Sequence, residues 1–214
     1  MGGRADASGA VDLFAITPGR GDGQELREKI EALARGGVTK LLLREKQLDA
    51  SARATLGEIV AEACRTAGVE LWVSDDVGLA RRLGAHGVHL SEQSPPPSRL
   101  AAQAGPIAFG LSLHRPVSRP TEEIARCRHA FVAPLFATPS KAGVAPLGLA
   151  GFAEVAATLP LPTFALGGIE LAHATMLAQA GIRRVAAIRL FFDARDPEAA
   201  ARLLAERLRS APAA

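Results

Sequence analysis

The chain has 214 residues, 48% of them hydrophobic and 22% charged, a composition that suits one globular domain. No apolar run approaches the roughly 20 residues of a membrane-spanning helix, which excludes a helical membrane protein. The formal net charge is only +3, with no Lys/Arg block and 4% aromatic residues, so nothing supports a nucleic-acid partner.

Residues 1–10, "MGGRADASGA", are small and polar. They lack the apolar core of a signal peptide and are expected to be a flexible tail on a cytoplasmic protein. From residue 11 to 214 short apolar runs alternate with longer segments of helical spacing. The runs are "VDLFAIT", "KLLLREK", "ELWVSDD", "GVHL", "IAFGLSLH", "AFVAPLF", "TFALGGI" and "RVAAIRLFF". Between the first two, Leu26, Ile30 and Leu33 recur at helical intervals before Gly36-Gly37. Ala54, Ile59, Ala63 and Cys64 precede Gly68, and Leu171, Met176, Leu177 and Ala180 precede Gly181. A glycine just past a periodic run is the expected helix stop. A last helix is predicted from about Pro197 to Arg209, with Asp196 as its N-cap. Cys64 and Cys127 fall in segments read as helical, without metal spacing, and are expected to be reduced and buried.

Eight strand–helix repeats require parallel strands joined by crossover helices. Near-continuous apolar strands fit a sheet buried on both faces. The predicted fold is a single-domain α/β (β/α)₈ TIM barrel; an open doubly wound sheet is the alternative, although no early strand leads into a G-x-G-x-x-G loop. In a barrel, function belongs at the C-terminal ends of the strands. Those ends read Thr17, Arg44 with Lys46, Ser74 with Asp75 and Asp76, His89, Ser112 with His114, Thr138 with Lys141, Gly167-Gly168, and Arg189. The set is cationic and hydroxylic, which points to small anionic ligands. Arg44 and Lys46 alternate, so they share a face opposite Glu45. Each residue also has a plainer reading, as a solvated strand end or a turn. "FALGGI" poses the sharpest question, because two adjacent glycines end an apolar strand where a backbone must approach something closely.

In order and spacing, "LLLREK", "VSDD", "GVHL", "GLSLH", "PLFATPSK" and "FALGGI" resemble the thiamine phosphate synthase family, which also includes the bacterial thiazole tautomerases. The resemblance spans "DLFAIT" to "VAAIRLFF" and itself implies a (β/α)₈ barrel. It implies an enzyme, a transferase that joins hydroxymethylpyrimidine diphosphate to a thiazole phosphate and releases pyrophosphate. On that resemblance Arg44 and Lys46, with Ser74 beside them, bind the diphosphate. Thr138, Ser140 and Lys141 belong to a loop that closes on phosphate, and Ser112 sits near the reacting groups. Gly167 and Gly168 offer bare N–H groups to the thiazole phosphate, which a Cβ would hold away. Ser112 and Lys141 are the catalytic candidates.

The departures are specific. Leu42 stands where the synthases usually have Gln, and Ser74-Asp75-Asp76 where they show Asn-Asp-Arg. Ser94 falls in register with a second metal-binding Asp. Asp75 alone remains of the Mg²⁺ pair, with Glu92 or Asp76 as substitutes, so Mg²⁺ is expected to bind weakly. Arg189 replaces a small residue and either binds the phosphate or fills its site. Two other readings stay open: a tautomerase-like isomerase working by acid/base chemistry, with His89 or His114 available, and a non-catalytic phosphate-binding barrel. Pro134, at a position where tautomerases carry histidine, favours the synthase. The apolar helices leave room for a homo-oligomer that the pattern does not prove.

Overall fold

A computed structural model describes residues 10–20, 22–114, 120–139 and 143–210. The eight apolar runs form strands β1 (Asp12–Ile16), β2 (Lys40–Leu43), β3 (Glu70–Ser74), β4 (Gly87–Leu90), β5 (Ala108–Leu113), β6 (Cys127–Val132), β7 (Thr163–Leu166) and β8 (Arg184–Ala187). All neighbours pair in parallel, and β8 pairs with β1 to close the barrel. The outer ring comprises α1 (Gly23–Arg35), α2 (Ala50–Ala67), α3 (Val77–Arg82), α4 (Pro97–Ala104), α5 (Thr121–Ile124), α6 (Gly148–Ala157), α7 (Ala174–Gln179), α8 (Arg189–Phe192) and α9 (Pro197–Ser210). No helix among the described residues is long and apolar enough to cross a membrane.

Aspartate caps α1, α2, α3 and α9. Asp22, Asp49, Asp76 and Asp196 accept from the N–H groups of Glu25, Ala52, Leu79 and Ala199, at 2.8–2.9 Å. Each such cap satisfies an otherwise orphaned donor and stabilises by about 1 kcal/mol. Gly68 ends α2 in the left-handed region (φ 69°), where glycine carries no Cβ penalty.

Three sequence expectations need correction. Cys127 opens β6 rather than lying in a helix, although both cysteines are buried and free. Burial pushes the Cys64 thiol up to about 12, so it stays protonated. The run "IRLFF" is not strand. β8 stops at Ala187, and Arg189–Phe192 turns into α8, burying Phe191 and Phe192. β2 likewise stops at Leu43, before Arg44.

The inward residues form a second core inside the barrel: Phe14, Ile16, Leu42, Trp72, Phe131, Phe164 and Ala186. Large and small residues interlock across it. A Cβ on Gly87 would sit 2.2 Å from the Trp72 ring and 2.7 Å from the Ala108 carbonyl oxygen. Such overpacking against a ring and a strand backbone costs about 1–3 kcal/mol. Gly87→Ala should therefore lower the unfolding free energy by an amount in that range, read as a lower urea midpoint with an unchanged slope. An unaltered midpoint would mean that the Trp72 ring does not fill the space above Gly87.

Candidate functional site

The C-terminal ends of the strands open onto a cavity of about 890 Å³. Arg44 and Lys46 line it from the loop after β2, and Ser74 and Ser112 from the last inward positions of β3 and β5. Thr138 faces it from the loop after β6, Gly167-Gly168 from the turn after β7, and Arg189 from the start of α8. Eight of the sequence-derived candidates thus meet in one space. Asp75 lies at its edge, held to Lys46 at 3.2 Å. Ser140 and Lys141 fall outside the described residues.

Buried groups fix the cationic side. Arg44 and Lys46 are exposed while Glu45 between them is 1% exposed, so the alternation persists past the end of β2. The Arg44 N–H donates to Thr17 Oγ1 at 2.8 Å. Glu45 accepts from the Gly19 N–H at 3.1 Å and from Gln47 Nε2 at 2.7 Å, which ties the loop after β1 to the loop after β2. Among the described residues, neither Arg44 nor Arg189 forms an ion pair with a carboxylate. Two unneutralised guanidinium groups at the rim attract anions.

Asp75 has left-handed backbone (φ 59°), a conformation that Asp tolerates better than most residues. Its Oδ1 accepts from the Ser91 N–H at 2.7 Å and from the Ser94 hydroxyl. Its Oδ2 accepts from Ser74 Oγ at 3.2 Å and faces Lys46. Burial alone would raise its pKa. The hydrogen bonds from Ser94 and Ser91 and the Lys46 ammonium outweigh it and hold the carboxyl at about 2.

The donor set for a metal is thin. Among the described residues no three His, Cys, Asp or Glu side chains gather as a metal site. Asp76 caps α3 and faces Arg53 at 3.7 Å, so it is turned to other work. Glu92 lines the cavity but accepts from the His114 N–H at 3.1 Å. What remains is one carboxylate, Asp75. That fits Mg²⁺ in its mode of one carboxylate plus substrate phosphates, not as a protein-held ion.

The glycine pair behaves differently from expectation. Both have positive φ, 101° at Gly167 and 65° at Gly168. A Cβ on Gly168 would meet the Ala137 carbonyl oxygen at 2.4 Å and Phe136 backbone atoms at 2.8 Å. Contact with the loop after β6 by itself requires glycine there, whatever clearance an anion also needs. The consequence for ligands survives by another route. The N–H groups of Gly168 and Ile169 have no hydrogen-bond partner among the described residues, and Gly168 is half-buried at the cavity wall.

The floor joins His89 and Ser112, which the sequence reading named, to His129, which it passed over. His89 Nε2 lies 2.8 Å from Ser112 Oγ, and His89 Nδ1 lies 3.0 Å from His129 Nε2. The His89 ring stacks on Phe131 at 4.0 Å. Burial lowers the His89 pKa to about 3, Asp75 pulling weakly the other way, and burial lowers that of His129 well below its usual value. Glu45 was read only as the residue opposite Arg44, although a carboxylate between two cations on a strand end is itself a signal of a braced loop.

Comparison with known proteins shows the family and the fold. Residues 13–191 match the family model described as thiamine monophosphate synthase. A thiamine-phosphate synthase of Thioalkalivibrio sulfidiphilus is 35% identical over 196 residues, covering 90% of this chain and 93% of that protein. The thiamine-phosphate synthase of Thermus thermophilus is 36% identical over 199 residues, covering 91% and 95%. Among solved structures, a thiamine phosphate pyrophosphorylase of Pyrococcus furiosus superposes with a TM-score of 0.77 at 22% identity, covering 92% and 95%, and carries the same fold.

The state of Asp75 has a pH signature. A carboxyl whose folded pKa is depressed adds stability that is fully present above its unfolded value, near 3.8, and is lost as the pH falls toward about 2. Asp75→Asn keeps a residue that accepts left-handed backbone. The stability gap between wild type and Asp75→Asn, read by urea titration, should be constant above pH 5 and narrow as pH falls through that window, by on the order of 1 kcal/mol once solvent screening of this partly exposed carboxyl is counted. A gap independent of pH would mean that the carboxylate is not held by these donors.

Proposed function

We infer the reaction from one premise: the chain belongs to the thiamine monophosphate synthase family. It is a transferase of thiamine biosynthesis, joining hydroxymethylpyrimidine diphosphate to a thiazole phosphate with release of pyrophosphate. The observation that carries the reading is the cavity, which sets the two guanidinium groups of Arg44 and Arg189 around one space with free N–H groups at Gly168 and Ile169. Two phosphate-bearing substrates need two anion sites, and the rim offers one after β2 and one after β7 and β8.

In this assignment Arg44 and Lys46, with Ser74 beside them, bind the diphosphate. The bond from the pyrimidine methylene carbon to the diphosphate oxygen breaks, and the thiazole nitrogen forms a bond to that carbon. Negative charge grows on the departing pyrophosphate, and cations already fixed in place stabilise it without reorganising. Thr138 lines the cavity from the loop after β6, and on the resemblance Thr138, Ser140 and Lys141 belong to a loop that closes on phosphate; Ser140 and Lys141 lie outside the described residues. Gly167, Gly168 and Arg189 anchor the thiazole phosphate through N–H groups and a guanidinium that can bind two oxygens at once. Ser112, on the floor between the two, positions the reacting groups. Asp75 would hold Mg²⁺ that arrives with the diphosphate, and that ion would neutralise phosphate oxygens. One carboxylate is a thin donor set, so Mg²⁺ would bind weakly, and Lys46 beside Asp75 supplies part of the same charge. Pro134 lines the cavity where the tautomerases of the resemblance carry histidine, which supports the synthase over the isomerase.

The test is turnover with both substrates. Arg44→Ala should raise KM for the diphosphate substrate, and Arg189→Ala that for the thiazole phosphate, each by about tenfold or more, the scale of one charge-assisted hydrogen bond. If both variants raise the same KM, the two-sided assignment is wrong. Ser94→Asp places a carboxylate beside Asp75 and should lower the Mg²⁺ concentration for half-maximal rate several-fold. An unchanged Mg²⁺ profile would remove Asp75 from the metal.

A further inference from the structure

His129 belongs to no step described so far. It is 3% exposed, on β6 beneath Phe131, with its ring edge-on to Trp72 at 4.5 Å. Its Nε2 meets His89 Nδ1, and His89 Nε2 meets Ser112 Oγ at the cavity floor. The contact between the two imidazoles has a space made for it. A Cβ on Gly110 would sit 2.4 Å from His129 Cε1 and Nε2 and 3.0 Å from His89 Nδ1. The Gly110 backbone is not left-handed, so space alone calls for glycine there. Strand β5 gives up a side chain where the rings touch.

Two neutral imidazoles joined nitrogen to nitrogen share one proton, so the chain has two arrangements. In one, His89 Nδ1–H donates to His129. His89 Nε2 then accepts the Ser112 proton, and the serine turns lone pairs toward the cavity. In the other, His129 Nε2–H donates to His89 Nδ1, His89 Nε2–H donates to Ser112 Oγ, and the serine proton is free to point into the cavity. The cavity also holds the donors Arg44, Lys46, Arg189 and the N–H groups of Gly168 and Ile169, against the single Glu92 carboxylate among its described lining residues. An anionic ligand attracts the second arrangement and repels the first.

We propose that His129 is a positioning residue, whose Nε2–H fixes His89 as the Nε2–H tautomer and so turns the Ser112 hydroxyl proton toward the substrate. This deepens the phosphate-substrate reading of the cavity and rests on it. Burial keeps both rings neutral, so the tautomer rather than the charge carries the information.

Nitrogen-15 NMR of the full chain labelled in histidine reads the tautomers directly. Both His89 and His129 should carry the proton on Nε2, with Nδ1 of His89 bare. A proton on His89 Nδ1 overturns the proposal. This measurement needs no turnover, so it stands even if the synthase reaction fails. Kinetics supply the functional arm. His129→Phe removes the donor and should lower kcat about tenfold, one hydrogen bond's worth, with both KM values within about twofold. His129→Gln, whose amide N–H can donate to His89, should recover most of that loss. In a Ser112→Ala background His129→Phe should cost nothing further, because the effect passes through Ser112. Melting curves on each variant establish that it is folded. An unaltered kcat in folded His129→Phe, or the same loss with and without Ser112, overturns the proposal.

Discussion

The barrel has no room inside, and the site depends on that. Phe14, Trp72, His129, Phe131 and Phe164 interlock as an aromatic plug, with Phe14 edge-on to Phe131 at 4.9 Å and to Phe164 at 5.6 Å. Edge-to-face contacts of this kind add about 0.5–1.5 kcal/mol each beyond the buried area. A filled interior leaves a ligand only the C-terminal rim, and it gives that rim a rigid floor. Ser112 and His89 stand on this floor. Glu45 and Thr17 brace the loop that carries Arg44 and Lys46.

Charge is arranged on that floor in two ways. Lys46 is partnered by Asp75, which is itself held by Ser91, Ser94 and Ser74. Arg44 and Arg189 lack carboxylate partners among the described residues. The paired cation is fixed in place, and the unpaired ones hold the surplus that draws an anion. Where a second carboxylate would strengthen a metal site, Ser94 instead ties down the first.

Much of this was legible in the sequence, and particular residues show why the rest was not. Parallel strands buried on both faces read as unbroken apolar runs, so the barrel was accessible from "KLLL" and "ELWV". The alternation of Arg44, Glu45 and Lys46 gave the right face even though the strand had already ended. Gly167 and Gly168 were visible as a close approach, but the sequence does not say to what; the partner is the loop after β6, a neighbour only once β6 and β7 pair. His129 was hidden by a bulge. Phe109 pairs with Cys127 but Gly110 with His129, so Arg128 is the extra residue. From Cys127, which joins the outer core, a strict period of two would send His129 outward. The bulge re-aims it inward, as bulges near sites do. The strand "RVAAIRLFF" failed at Ile188, where an apolar run continues while the backbone turns into a helix.

The central claim is that two phosphate groups bind at two separate stretches of the rim, one after β2 and one after β7 and β8. A crystal structure of the chain with inorganic pyrophosphate and a thiazole phosphate tests it most directly. The account predicts pyrophosphate oxygens within hydrogen-bond distance of Arg44 and Lys46, and the thiazole phosphate on the N–H groups of Gly168 and Ile169 with Arg189. Both ligands on the same set of residues, or either bound away from this rim, would contradict it.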